Sequence, residues 1–313
     1  MVSATPIPFM LDLVNGTSIK HEKKVDDIEF FNLDPQDNYV GVENIVPLLI
    51  NGKEVYLEQN ELHCKSIYSS SDNVKVVYAN DKLIAMYDDA LLHSEHRKGI
   101  LILDCSCPRV NACNNITGKA TAVQEMYKRK GKDVTVITFC GRGISIKVPN
   151  KKWDHERWKK LLIGDALKFI DEQYGLEMPV IIFGYTKMRR GVSFRSADRV
   201  PTHMVLSLGR GHSISNVVQT LGRATFNGRN LLIENGFDNV TVLMTSNDLT
   251  MCRKIQNYVN HVACRIPQGD SFAEAVKGTI QKVPECANFI RHTCRELGRI
   301  RGKLSRLFFF CTE

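Results

Sequence analysis

The sequence predicts an α/β fold: a parallel sheet flanked by helices, preceded by an irregular β-rich segment and followed by a helical tail. Three observations predict it. From residue 98 onward, short continuous apolar runs alternate with amphipathic stretches, the pattern of strands buried on both faces and joined by crossover helices. Before residue 98 there are hairpin and turn signals without that alternation, and after residue 250 the patterns are helical. At 313 residues, 43% hydrophobic and 24% charged, the chain has the composition of one large or two ordinary globular domains.

Taken in order, "VPLLINGKEVYLE" reads as a hairpin, with Asn51-Gly52 at a type I′ turn between apolar strands. "NVKVVYAND" reads as a further strand and "DKLIAMYDDALLHSEH" as a helix. "GILILDC" is a strand buried on both faces, and "TGKATAVQEMYKRKG" a helix closed by Gly131. "DVTVITFC" is the next buried strand. "DHERWKKLLIGDALKFIDEQYG" reads as one long helix, capped by Asp154 and ended by Gly175. "PVIIFGY", "THMVLSL" and "NVTVLMTS" complete the strands, with the helix "SISNVVQTLGRA" between the last two. The tail holds "DLTMCRKIQNYVNHVAC", the capping-box pair Ser271 and Glu274, and a last helix whose Arg291, Arg295 and Arg299 form one basic stripe.

The formal charge of +8 favours an anionic partner. Ten cysteines form no regular disulfide framework, and the closest group (Cys105, Cys107, Cys113) lacks paired spacing and a fourth ligand, so no metal site is expected. Reduced thiols point to an intracellular protein, cytoplasmic or nuclear. No run approaches a membrane span and the start lacks a basic leader, so no membrane partner is expected.

Two stretches carry anion chemistry. "GYTKMRRGVSFRS" combines Gly184 and Gly191, the hydroxyls of Thr186, Ser193 and Ser196, and the guanidinium forks of Arg189, Arg190 and Arg195. "GRGHSISNVVQTLGRATFNGR" places Gln219 and Arg223 four residues apart on one helix face, with Arg229 following. Such groups can read and neutralise a nucleoside triphosphate.

Together with "SATP" at residues 3–6, "RRGVS" and "QTLGR" stand in the order of motifs III, V and VI of superfamily 2 helicases. The chain resembles that family from residue 1 to about residue 250. The detail is closest to strawberry-notch-type proteins and to helicase-like ATPases beside bacterial restriction systems. "GILILDC" is similar to the strand opening the second RecA-like lobe, and "NLDPQDNYVGVENI" to a segment between lobes. The resemblance implies a RecA-like sheet over 98–250. Before it would come the end of a first lobe over 1–20 and an inter-lobe β-rich segment over 21–97; a basic helical extension would occupy 251–313. It implies nucleic-acid contacts by Ser3, Thr5, Thr186, Arg189 and Arg190, and ATP contacts by Gly191, Ser193, Gln219 and Arg223. Arg223 would be the arginine finger, assisted catalytically by Gln219 and Arg229. Two positions depart from the family pattern: Phe226 stands where a second arginine is usual, and Ser193 where an acid is usual.

In that family a Walker A loop and a magnesium-binding acid precede motif III. "CNNITGKAT" is the nearest phosphate-loop likeness, but Cys113 replaces its first glycine and Ala120 its hydroxyl. The expectation is therefore the C-terminal portion of an ATP- and Mg2+-dependent helicase or translocase acting on DNA or RNA. It would be inactive alone and would need an N-terminal RecA-like lobe in cis or in trans. The alternatives are a non-catalytic nucleic-acid-binding module and a lobe that completes another protein's ATPase.

Overall fold

The structure is a computed structural model that describes residues 37–59, 61–62, 80–92, 96–106, 112–184, 188, 193–209, 212, 214–271, 274–275 and 278–279. Ser3, Thr5, Thr186, Arg189, Arg190, Gly191, the candidate strand at 73–79 and the stripe of Arg291, Arg295 and Arg299 lie outside them. The chain divides into two units, one of residues 35–249 and one of 1–34 with 250–313.

The described residues of the first unit carry ten strands: β1 Tyr39–Val40, β2 Ile45–Ile50, β3 Lys53–Val55, β4 Leu101–Cys105, β5 Thr135–Cys140, β6 Gly143–Lys147, β7 Val180–Gly184, β8 His203–Leu206, β9 Phe226–Asn227 and β10 Val240–Leu243. Its helices are α1 Asp81–Leu91, α2 Ala112–Arg129, α3 Ile163–Tyr174, α4 Ile214–Leu221 and α5 Arg229–Glu234. Helix α6, Ser246–Arg265, runs on into the second unit.

Eight strands form one mixed, mostly parallel sheet in the order β3-β2-β10-β8-β4-β7-β5-β6. The pairs from β2 through β10, β8, β4 and β7 to β5 are parallel; only the two edge hairpins, β2–β3 and β5–β6, are antiparallel. Strands β4, β7 and β8 are buried along their whole length, as their mainly apolar sequences require for a sheet covered on both sides; the exceptions, Asp104 and His203, pair with Lys119 and Asp89. The predicted α/β arrangement of a sheet flanked by helices is present.

The Asn51-Gly52 hairpin forms as read. Both residues have positive φ, 52° and 74°, the requirement of a type I′ turn. Its first strand goes further and joins the main sheet, with Val240 opposite Ile45. Periodicity cannot reveal a pairing across that sequence distance.

The long helix expected from Asp154 does not form as one piece. Helix α3 begins only at Ile163. Asp154 instead exchanges backbone hydrogen bonds with Ile146 of β6, at 2.8 and 3.0 Å, and its carboxylate accepts from the Trp158 indole at 3.1 Å. Strand β6, which the sequence reading lacked, is thus flanked by the 154–160 turns. A Cβ at Gly143 (φ 103°) would run into the Lys159 carbonyl, so this close approach needs glycine.

Successive strand residues point to opposite faces, and β4 shows the two layers. Asp104 faces α1 and α2, where it pairs with Lys119 and accepts from the Tyr87 hydroxyl. On the same side Tyr127 donates to Asp88 at 2.7 Å, tying α2 to α1. Cys105 points the other way, its thiol 3.5 Å from the Met188 sulfur. Between β7 and β8 the stretch 193–202 forms neither helix nor strand, and Arg199, fully buried, anchors it. Its Nε bonds Asp171 of α3 at 2.7 Å and its Nη1 bonds the Ile100 carbonyl at 2.8 Å, while Ser196 donates to the same Asp171 at 2.6 Å.

In the second unit the Ser271–Glu274 capping box is formed: Ser271 Oγ bonds Glu274 Oε2 at 2.6 Å, and the Glu274 amide bonds Ser271 Oγ at 3.4 Å. Among the described residues Cys105, Cys140, Cys252 and Cys264 are free thiols, and no helix is long and apolar enough to cross a membrane.

Removing one partner of a buried ion pair strands the other charge. Arg199→Met is expected to cost about 3–5 kcal/mol in urea unfolding, whereas a change within about 0.5 kcal/mol would show that the pair is not a structural anchor. Burial lowers the His203 pKa below its ordinary value, opposed by the Asp89 carboxylate and reinforced by Arg97. The folded state therefore binds this proton less readily than the unfolded chain, and its stability contribution is present above about pH 6.5 and lost as pH falls below that value. Urea midpoints of wild type and His203→Gln across pH 5–8 should show this component in the wild type only.

Candidate functional site

The crossover and the end of α4 meet at one cleft. Ser193, Arg195 and Arg223 line it together with Pro201, Thr225 and Phe226, around a volume of about 280 Å3. Pro201 lies just before β8, so this part of the lining stands near the amino end of that strand.

Arg223 belongs to a 3-10 turn, Gly222–Ala224, that continues α4. Thr225 Oγ1 donates to the Gly222 carbonyl at 3.0 Å and closes that turn. Burial lowers the Arg223 pKa below its ordinary value, and the nearby Cys105 sulfur opposes the shift. A partly desolvated guanidinium interacts with an anion more strongly than one in bulk water.

The residues after Arg223 are clamped by the start of the unit. Strand β1 pairs with β9, Tyr39 opposite Asn227 and Val40 opposite Phe226. The Asn38 carbonyl accepts from the amides of Gly228 and Arg229, at 2.7 and 2.9 Å, and its side chain accepts from Asn230 at 2.8 Å. Phe226, at the position where the family pattern has a second arginine, is buried. That position serves packing here. Arg229 is exposed at the first residue of α5, and neither it nor Gln219, half-buried one turn before Arg223, lines the cleft. Of the predicted site residues within the described set, the fold therefore brings Ser193 and Arg223 together.

Arg195 is the residue whose place the motifs did not assign. It donates from Nη1 to the Asn227 carbonyl at 2.6 Å, linking the crossover to β9. With Ser193 it also borders a second cleft of about 620 Å3, which Lys168 of α3 lines from the other side.

The phosphate-loop likeness is accounted for by packing. Helix α2 begins at Ala112, so Gly118 and Lys119 stand in its second turn and not in a loop before it. Lys119, nearly fully buried, holds Asp104 at 2.6 Å and Ser106 Oγ at 2.6 Å. Burial alone would raise the Asp104 pKa, but the Lys119 ammonium and the donors Ser106 and Tyr87 outweigh it and hold the carboxyl below its ordinary range. The one sequence signal for this cluster was an acid inside the apolar run "LILDC". Among the described residues no group of three or more His, Cys, Asp or Glu side chains could hold a metal ion.

No protein-family model matches the chain, and no curated protein matches it either.

Since Lys119 is committed to Asp104, Lys119→Met should destabilise the fold by about 3–5 kcal/mol and leave nucleotide affinity unchanged. Denaturant unfolding checks the first, and titration of a fluorescent ATP analogue into the chain assembled with an N-terminal RecA-like lobe checks the second; lost nucleotide binding by a folded variant would contradict this placement.

Proposed function

We propose that residues 35–249 are the arginine-donating lobe of a superfamily 2 helicase or translocase. In this reading the lobe binds no ATP tightly by itself. It presents Arg223 to the γ-phosphate of ATP-Mg2+ held by a phosphate-loop lobe, in cis or in trans, while the crossover after β7 follows DNA or RNA. The observation that carries the reading is the convergence of Ser193, Arg195 and Arg223 on one cleft. These residues come from the two stretches that resemble motifs V and VI. The half-buried Arg223, on a turn closed by Thr225 and followed by the β1–β9 clamp, suits a group that must meet a developing negative charge without reorganising. The engagement of Lys119 by Asp104 supports the same division of labour, because it removes the phosphate-loop likeness from the nucleotide chemistry.

The test is steady-state ATP hydrolysis with Mg2+ and an oligonucleotide, measured on this chain alone and on the chain joined to or mixed with a phosphate-loop lobe from the same source. Turnover should appear only with that lobe and should fall by about 10³-fold or more in Arg223→Ala, as for arginine fingers generally. Turnover by the chain alone, or turnover indifferent to Arg223→Ala, would overturn the reading. Nucleic-acid binding that persists with no ATPase under any pairing would favour the non-catalytic module.

A further inference from the structure

We infer that the β6 edge of the sheet is a second nucleic-acid contact, a phosphate-tracking surface apart from the Arg223 cleft. Residues 125–168 carry twelve Lys or Arg against five Asp or Glu, nearly the whole net charge of the chain. Six of these cations, Lys128, Arg142, Lys151, Lys152, Arg157 and Lys160, are exposed along or beside one edge, whereas Lys130 pairs with Asp88, Lys159 with Glu156 and Lys168 with Glu172. Strand β6 has a β partner on one side only, and the 151–160 segment runs beside its other side. Asp154 bridges Ile146, the His155 ring bonds Ser145 at 2.7 Å, and Lys159 abuts Gly143. One end of this edge therefore carries Arg142 and Lys160, and the other Lys151 and Lys128. Between them β6 spans about 14 Å at strand rise, a length that covers about four phosphates of one nucleic-acid strand.

Several of these cations are held in place while their charge stays outward. Arg157, exposed, stacks on the rings of Trp158 and Phe169, with centroids 4.7 and 4.4 Å away, so its planar fork is oriented without an acid partner among the described residues. Lys151 lies over Tyr174 and donates to its hydroxyl at 3.0 Å. Lys128 donates to Asn150 at 2.6 Å, a neutral acceptor that leaves the charge uncompensated. Arg142, Lys152 and Lys160 are exposed. A row of exposed cations, three of them (Lys128, Lys151 and Arg157) held by neutral partners, is complementary to a linear polyanion. This deepens the proposed function by naming a second contact with the same polymer, yet it does not depend on Arg223.

The experiment is fluorescence anisotropy of a labelled oligo-dT with the full chain, without nucleotide, over a series of salt concentrations. Wild type is compared with the exposed four-site variant Arg142→Gln, Lys152→Gln, Arg157→Gln and Lys160→Gln, whose folding is verified by circular dichroism. The variant should bind more weakly, with a log-affinity against log-salt slope shallower by about 3, since each neutralised phosphate of a single strand contributes about 0.7. Lys53→Gln, which removes an exposed cation from the opposite edge of the sheet, should bind as wild type does; ATP turnover indifferent to Arg223→Ala would sink the lobe reading and leave this inference standing. An unchanged slope in the four-site variant, or no oligonucleotide binding by wild type, would overturn the inference. So would binding to anionic phosphatidylserine vesicles in place of the oligonucleotide, a rival that the exposed Leu161 and Leu162 beside Lys160 make worth measuring.

Discussion

The arrangement of the candidate site depends on the buried contact between Arg199 and Asp171. The connection from β7 to β8 has to pass over β4, and its stretch 193–202 contains no helix to give it a regular path. A fully buried guanidinium supplies the constraint instead: one donor goes to α3, another to the main chain at the start of β4, and Ser196 bonds the same carboxylate. An ion pair of this kind contributes little net stability over an apolar substitute. What it determines is position. It sets where Ser193 and Arg195 stand relative to the turn that carries Arg223, and the cleft exists because those two segments are held side by side.

A second constraint acts from the other side. The residues after Arg223 are fixed by β1 and Asn38, so the arginine turn is bounded by helix α4 before it and by a two-strand clamp after it. Burial of Phe226 belongs to the same economy. An arginine at that position would have to leave the core or be buried with a partner, and the exposed Arg229 at the head of α5 carries a nearby charge instead.

The central strands were legible because burial on both faces forces an unbroken apolar run, and "LILDC", "TVITFC" and "VIIFG" are such runs. The hairpin turn was legible because positive φ at two successive positions selects Asn-Gly. Strand β6 and the late start of α3 were not. "KKWDHERWKK" has helix-compatible spacing, and only the pairing of Asp154 with Ile146, visible in three dimensions, diverts it. At the site, Arg223 stands out in the sequence on the stretch that resembles motif VI, and it lines the cleft while Gln219 does not; its nearness to Arg195 depends on the crossover's path. The basic edge escaped notice because its cations are spread over α2, β6 and the turns before α3, and become neighbours only when the edge strand brings them together. The basic tail that drew attention instead lies outside the described residues.

The claim that most needs testing is that Arg223, and not Arg229, is the group that meets the nucleotide. The direct measurement is a crystal structure of the chain assembled with a phosphate-loop lobe, ADP, Mg2+ and aluminium fluoride as a mimic of the transferring phosphoryl group. The account predicts the Arg223 guanidinium within about 3 Å of a fluoride, a hydrogen-bond distance, with Ser193 and Arg195 still lining the same cleft. Arg229 in that place, or Arg223 turned away from the nucleotide, would contradict it.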